Sequence, residues 1–139
     1  MRPTWDQTYA DLAKLVAKRA TCPRASVGAV LVRDNRVLAT GYNGAPPKAP
    51  HCTDDGCMMV EGHCIRAVHA EANALLTCAR HGVSTEGATC YVTVLPCVRC
   101  FHLLQAAGIN RIVYLEEYKH SIEANYVKSF GFVERSIYA

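Results

Sequence analysis

Thr89-Cys90-Tyr91-Val92-Thr93-Val94 is a short run of β-branched and aromatic residues, which reads as a strand. Pro96 follows it and opens a helix to about Ala107, closed by Gly108. Arg111 to Leu115 is the next strand, Ser121 to Phe130 a helix ending at Gly131, and Phe132 to Ile137 a last strand. Successive strands joined through helices need crossover connections. The strands of this half are therefore parallel, with helices packed on the sheet.

The first half reads differently. Thr4 stands three residues before Gln7, a capping-box spacing, and Trp5, Tyr9, Leu12, Leu15 and Val16 fall near helical intervals, so a helix runs to about Arg19 and stops at Cys22-Pro23. Val27 to Val32 and Arg36 to Thr40 flank Asp34-Asn35 and read as an antiparallel hairpin. Gly41 to Gly62 contains four glycines, three prolines and no period, which predicts a long loop; loops of that length in a domain are functional or tied down. From His69 a helix resumes, with Ala72, Leu75, Leu76 and Ala79 on one face and Gly82 past its end.

A chain of 139 residues is the size of one domain, which buries roughly 70% of its unfolded surface. It is 50% hydrophobic and 19% charged, in the globular range. A net charge of +3 is too small to argue for nucleic acid or a membrane surface, though it suits a small anionic ligand. Met1 to Ala20 carries Asp6, Asp11, Lys14, Lys18 and Arg19 and so lacks a secretory apolar core, and the longest apolar run, Val27 to Val32, is too short to span a bilayer. A cytoplasmic location is expected. There, eight cysteines are ligands or core residues rather than bridges.

His69-Ala70-Glu71 begins one helix and Pro96-Cys97-Val98-Arg99-Cys100 another, with 24 residues between Glu71 and Pro96. Cys97 and Cys100 lie one helical turn apart, the separation two thiolates need to hold one tetrahedral ion, and a helix N-terminus favours the thiolate form. His69 supplies a third ligand and leaves a fourth position for water, as in catalytic rather than structural zinc sites. Glu71 is placed to take the proton of that water. A lone C-x-x-C is as readily a redox pair or half a zinc finger, and a lone H-A-E only a helix start. The combined order H-x-E…P-C-x-x-C is the known signature of zinc nucleobase deaminases.

Three further segments surround these motifs: Val27-Gly28-Ala29-Val30, Gly41-Tyr42-Asn43-Gly44-Ala45-Pro46, and Gly62-His63-Cys64-Ile65-Arg66-Ala67-Val68 leading into His69. With them the chain resembles the deoxycytidylate (dCMP) deaminase family of bacterial and phage type, including its late-competence operon branch, from about Cys22 to Tyr118. The resemblance implies a three-layer α/β/α cytidine deaminase-like fold with a five-stranded mixed sheet whose last strands are parallel, in a single domain over 1–139 with a Cys/His-rich insertion near 45–66. It implies hydrolytic deamination of dCMP to dUMP and ammonia, supplying thymidylate synthesis, with attack of water at C4 and Glu71 carrying protons to N3 and the departing amine. The Ala70 amide would hold the pyrimidine O2, and Asn43 the sugar-phosphate side, although Asn before Gly is also a common turn pair. Arg24 is expected at the phosphate. Arg66, Lys48 and Arg99 also lie in or beside site segments, and a solvated basic face would look the same. Tyr118 sits where relatives carry a substrate-side tyrosine, or is an ordinary surface residue.

The same resemblance implies a second, structural zinc held by Cys22, Cys52, Cys57 and His63, with Cys64 as the rival of His63; the alternative is a set of inert thiols. Such a site would staple a segment that buries too little apolar surface to order itself. Cys78 and Cys90 read as core residues. His51, His81, His102 and His120 have no partner spacing and read as surface or loop positions. A homohexamer, dCTP and dTTP as effectors, and Mg2+ accompanying dCTP are also implied. Rival readings are a tRNA adenosine, free-base or nucleoside deaminase and a non-catalytic zinc-binding module. The tRNA reading is weakened by the lack of a basic tail or arginine-rich stripe. The second leaves Glu71 without a role.

Overall fold

The computed structural model describes residues 1–22, 25–60, 63–64, 66–117 and 121–138, with 63 and 64 described by backbone alone. In chain order the elements are α1 (Trp5–Ala17), β1 (Gly28–Arg33), β2 (Arg36–Tyr42), α2 (Cys52–Asp55), β3 (Met59–Val60), β4 (His63–Cys64), α3 (Ala70–His81), β5 (Thr89–Val94), α4 (Val98–Ala106), β6 (Arg111–Glu116), α5 (Ile122–Lys128) and β7 (Val133–Arg135). Five strands form one sheet in the order β2-β1-β5-β6-β7, and β3 pairs with β4 apart from it. β1 is antiparallel to both β2 and β5, whereas β5, β6 and β7 run parallel. This is the mixed sheet with parallel last strands expected from the crossovers.

Strand alternation creates the three layers. Val30, Val32, Tyr91 and Val113 point to one face and bury Tyr9 and Ala13 of α1. Ala29, Leu31, Cys90, Val92, Ile112 and Tyr114 point to the other, where Ala74 and Cys78 of α3, Phe101 and Leu104 of α4 and Val127 of α5 pack. The hairpin turns at Asp34 (φ 53°) and Asn35 (φ 57°), the left-handed pair that matches strand twist and that Asp and Asn tolerate. Thr4 caps α1 as its spacing predicts, its Oγ1 accepting from the Gln7 amide at 3.1 Å.

Several expectations need correction. α1 ends at Ala17, not Arg19, and the last strand shrinks to Val133–Arg135. The unpatterned loop contains the single turn α2 and the two-residue strand β3, elements too short to show a period. α3 turns a different face inward: Ala70, Ala74 and Cys78 are buried while Leu76 is 58% exposed. Small residues win there because the helix rides directly on strand backbone. A Cβ at Gly41 would stand 2.2 Å from the Ala70 carbonyl oxygen and 2.6 Å from the Ala74 nitrogen. Gly28 performs the same service on the opposite face, where a Cβ would meet the Ala13 oxygen at 2.1 Å.

Candidate metal centre and reaction site

α3 and α4 both start at the same end of the sheet, and their first residues carry the reactive groups. His69 and Cys97 are the N-caps of the two helices, in extended backbone and without a side-chain cap hydrogen bond, so their side chains are turned to each other. His69 Nδ1 lies 3.3 Å from Cys100 Sγ and 3.7 Å from Cys97 Sγ. Zinc bonds of ordinary length at tetrahedral angles put nitrogen and sulfur about 3.6 Å apart, so the three donors fit that ion. Cys100 is buried, while Cys97 and His69 are exposed.

Charge at this centre is shared. Hydrogen bonds from Cys100 and from His69 push the Cys97 thiol down to about 4, against the cost of its partial burial. Cys100 moves up, as the donor to that thiolate, and the hydrogen bond to Cys97 raises His69. One thiolate is thus stabilised without an ion, and a divalent cation would displace the remaining proton. Glu71, in the first turn of α3, is 4% exposed. Desolvation raises its carboxyl to about 7, against the lowering effects of its own backbone amide and His69. Cys90, fully buried nearby, is raised by desolvation and by Glu71 and stays a thiol.

The segment following β2 wraps the start of α3. Gly44 and Val68 form an isolated antiparallel bridge, with amide to carbonyl distances of 3.1 and 2.8 Å, one residue before His69. Asn73, one turn into α3, donates from Nδ2 to the Tyr42 carbonyl at 2.8 Å and lies near those of Val68 and Gly44. Asn43 is buried, its Oδ1 accepting from the Val27 amide at 2.8 Å and its Nδ2 donating to the Ala25 carbonyl at 2.7 Å. A second set of donors gathers behind this segment, where the sulfurs of Cys22, Cys52 and Cys57 lie within 4.8 Å of one another.

The family model for the cytidine and deoxycytidylate deaminase zinc-binding region matches residues 3–116. The chain belongs to this family. Among the relatives of this deaminase-family chain, ComE operon protein 2 of Bacillus subtilis (strain 168) is 48% identical over 118 residues, covering 85% of the chain and 62% of the relative. The deoxycytidylate deaminase of Mycobacterium phage D29 is 45% identical over 128 residues, covering 84% of the chain and 98% of the phage protein. Among solved structures, the dCMP deaminase of cyanophage S-TIM5 in complex with dCMP and dUMP superimposes with a TM-score of 0.83 at 29% identity, covering 98% of the chain and 99% of its own.

In this family member two sets of the residues singled out by sequence are brought together, and a third set lies outside the described residues. His69, Ala70, Glu71, Cys97 and Cys100 are brought together at the two helix starts. Cys22, Cys52 and Cys57 are brought together in a second place. Arg24 and Tyr118, the side chains of His63 and Cys64, and His120 lie outside the described residues. Cys78 and Cys90 are core residues, as expected. Among the histidines set aside as surface or loop positions, His102 pairs with the Tyr126 hydroxyl at 3.1 Å and His51 with Thr21 and Ala45. Sequence reasoning missed Asn73, which donates to the Tyr42 carbonyl 31 positions away, and His51, which pairs with the Thr21 hydroxyl 30 positions away. Arg66 holds a buried Nε with no hydrogen-bond partner among the described residues.

Proposed function

We propose that the chain converts dCMP and water to dUMP and ammonia, with zinc held by His69, Cys97 and Cys100. The observation that carries this reading is the convergence of His69 Nδ1 with the two sulfurs beside the buried carboxyl of Glu71. Zinc at such a centre supplies a water whose pKa falls to roughly 7. Glu71 would accept a proton from the attacking water and pass it to N3 of the cytosine ring, then move the remaining hydroxyl proton from C4 to the amine, which would leave as ammonia. Burial, which pushes the Glu71 carboxyl above its usual value, suits it to both accepting and donating a proton. Ala70, first residue of α3, has an amide without an intrahelical acceptor, available for the pyrimidine O2.

Asn43 orders residues 25–27 beside Arg24 and so shapes the sugar-phosphate side. Arg66, whose Nε has no hydrogen-bond partner among the described residues, joins Arg24 as a donor for the phosphate, and Tyr118 is assigned to the substrate side. Cys22, Cys52 and Cys57 hold a structural zinc with a fourth ligand from His63 or Cys64. The reading further treats 1–139 as one domain of a cytoplasmic homo-oligomer, a hexamer by family resemblance, with dCTP, accompanied by Mg2+, and dTTP as effectors. No helix among the described residues is long and apolar enough to cross a membrane.

Ultraviolet monitoring of zinc-loaded protein with dCMP, CMP, deoxycytidine and guanine tests the activity. Turnover of dCMP is expected, and its absence with and without dCTP defeats the proposal. Metal analysis should find about two zinc ions per chain, falling to about one in Cys52→Ala. One ion per chain, unchanged by that substitution, removes the structural site.

A further inference from the structure

His51 stands at the N-terminus of α2 with its Nδ1 turned toward the 43–45 segment. The Ala45 amide donates to that nitrogen at 3.3 Å. The Thr21 hydroxyl makes a hydrogen bond with the same nitrogen at 2.9 Å. The Thr21 amide also donates to the Asn43 carbonyl at 3.1 Å. Gly44 lies between the two grips, where a Cβ would stand 3.0 Å from Thr21 Oγ1.

The 43–45 segment is thus held on two sides. From α3, Asn73 and the Gly44–Val68 bridge attach it to the turn that leads into His69. From the other side Thr21 and His51 attach it to the Cys22–Cys52–Cys57 cluster, since each immediately precedes one of those cysteines. Neither residue is among the donors gathered at the metal centre or in contact with Glu71.

We propose that Thr21 and His51 form a positioning pair that holds the Asn43–Ala45 backbone beside the reaction site and thereby sets affinity for the nucleotide. The inference rests on the deaminase reading above. The pair acts on the binding wall, whereas Glu71 and the metal ligands belong to α3 and α4. Loosening it weakens substrate binding and leaves the chemical step intact.

Steady-state kinetics with dCMP on zinc-analysed protein test the pair. Thr21→Val, which keeps shape and loses the hydroxyl, and His51→Ala should each raise KM about three- to tenfold, the effect of one lost hydrogen bond, with kcat within about twofold. His51→Asn places a carboxamide oxygen near the position of Nδ1 and should recover most of the loss; His51→Gln reaches toward the Nε2 position and should not. The double variant Thr21→Val/His51→Ala should be no worse than His51→Ala, because both act through one nitrogen. Unchanged KM in both single variants, a kcat loss matching the KM change, or no recovery in His51→Asn overturns the proposal. Amide hydrogen exchange separates it from the activity itself. If wild type fails to deaminate dCMP, the substrate reading falls, while the pair still predicts faster exchange at residues 43–45 in Thr21→Val; equal exchange overturns the pair.

Discussion

Cys100 Sγ and His69 Nδ1 lie 3.3 Å apart although the residues are 31 positions distant and stand on different helices. Without an ion that contact is a hydrogen bond; with one it becomes the edge of a coordination tetrahedron. Removal of zinc by a chelator should therefore abolish deamination and lower the melting temperature, and zinc re-addition should restore both. Activity that survives complete demetallation, shown by metal analysis, contradicts the assignment of these ligands.

Glu71 is the only carboxyl placed in the first turn of α3, and it is buried beside the ligands. Glu71→Gln preserves volume and removes the exchangeable carboxyl proton. The variant should keep its zinc and its circular dichroism spectrum and lose about 10²–10⁴ in kcat. Retained turnover would show that the proton travels by another group.

Gly41 permits α3 to sit on β2, since a Cβ there would lie 2.2 Å from the Ala70 oxygen. Gly41→Ala must push the helix start outward, with an overpacking cost of about 1–3 kcal/mol. Because the displaced turn carries Ala70 and Glu71, kcat should fall more than stability alone explains, measured at a temperature where the variant is fully folded. Unaltered kcat would mean that the helix start tolerates the shift.

Asp6 joins α1 to the sheet: its carboxylate accepts from Arg111 at 2.9 and 2.7 Å and from the Tyr91 hydroxyl at 2.5 Å. The Arg111 hydrogen bond holds the Asp6 carboxyl below its usual value, against a smaller opposing effect of burial. A carboxyl lowered on folding stabilises the protein above its unfolded pKa, and that stabilisation disappears as pH falls through the lower folded value. The side chain is 37% exposed, so solvent screening keeps the contribution to about 1 kcal/mol or less. Asp6→Asn should lower the melting temperature by a few degrees at pH 7, and the gap to wild type should close below about pH 4. A gap independent of pH would assign the loss to packing.

Much of this architecture is legible in the sequence. Val27 to Val32 with Asp34-Asn35, and the alternation of strand and helix after Thr89, carry local signals that tertiary contacts did not override. His69, Glu71, Cys97 and Cys100 were legible because coordination demands particular side chains at fixed helical offsets. The inward face of α3 was not, because the reason Ala74 outranks Leu76 lies in Gly41, on another strand. His51 looked unpartnered for the same kind of reason. A hydrogen bond across 30 positions leaves no period, and its acceptor role follows only from the amide of Ala45.

His69 and Cys97 occupy the cap positions of α3 and α4 yet cap nothing. A serine or aspartate there would steady each helix separately by about 1 kcal/mol. Directing both side chains to a common point makes the two helix origins depend on one fastening. The alignment of Glu71 against the substrate ring is then governed by the same bonds that hold the metal, and a helix cannot drift without straining the coordination of its neighbour.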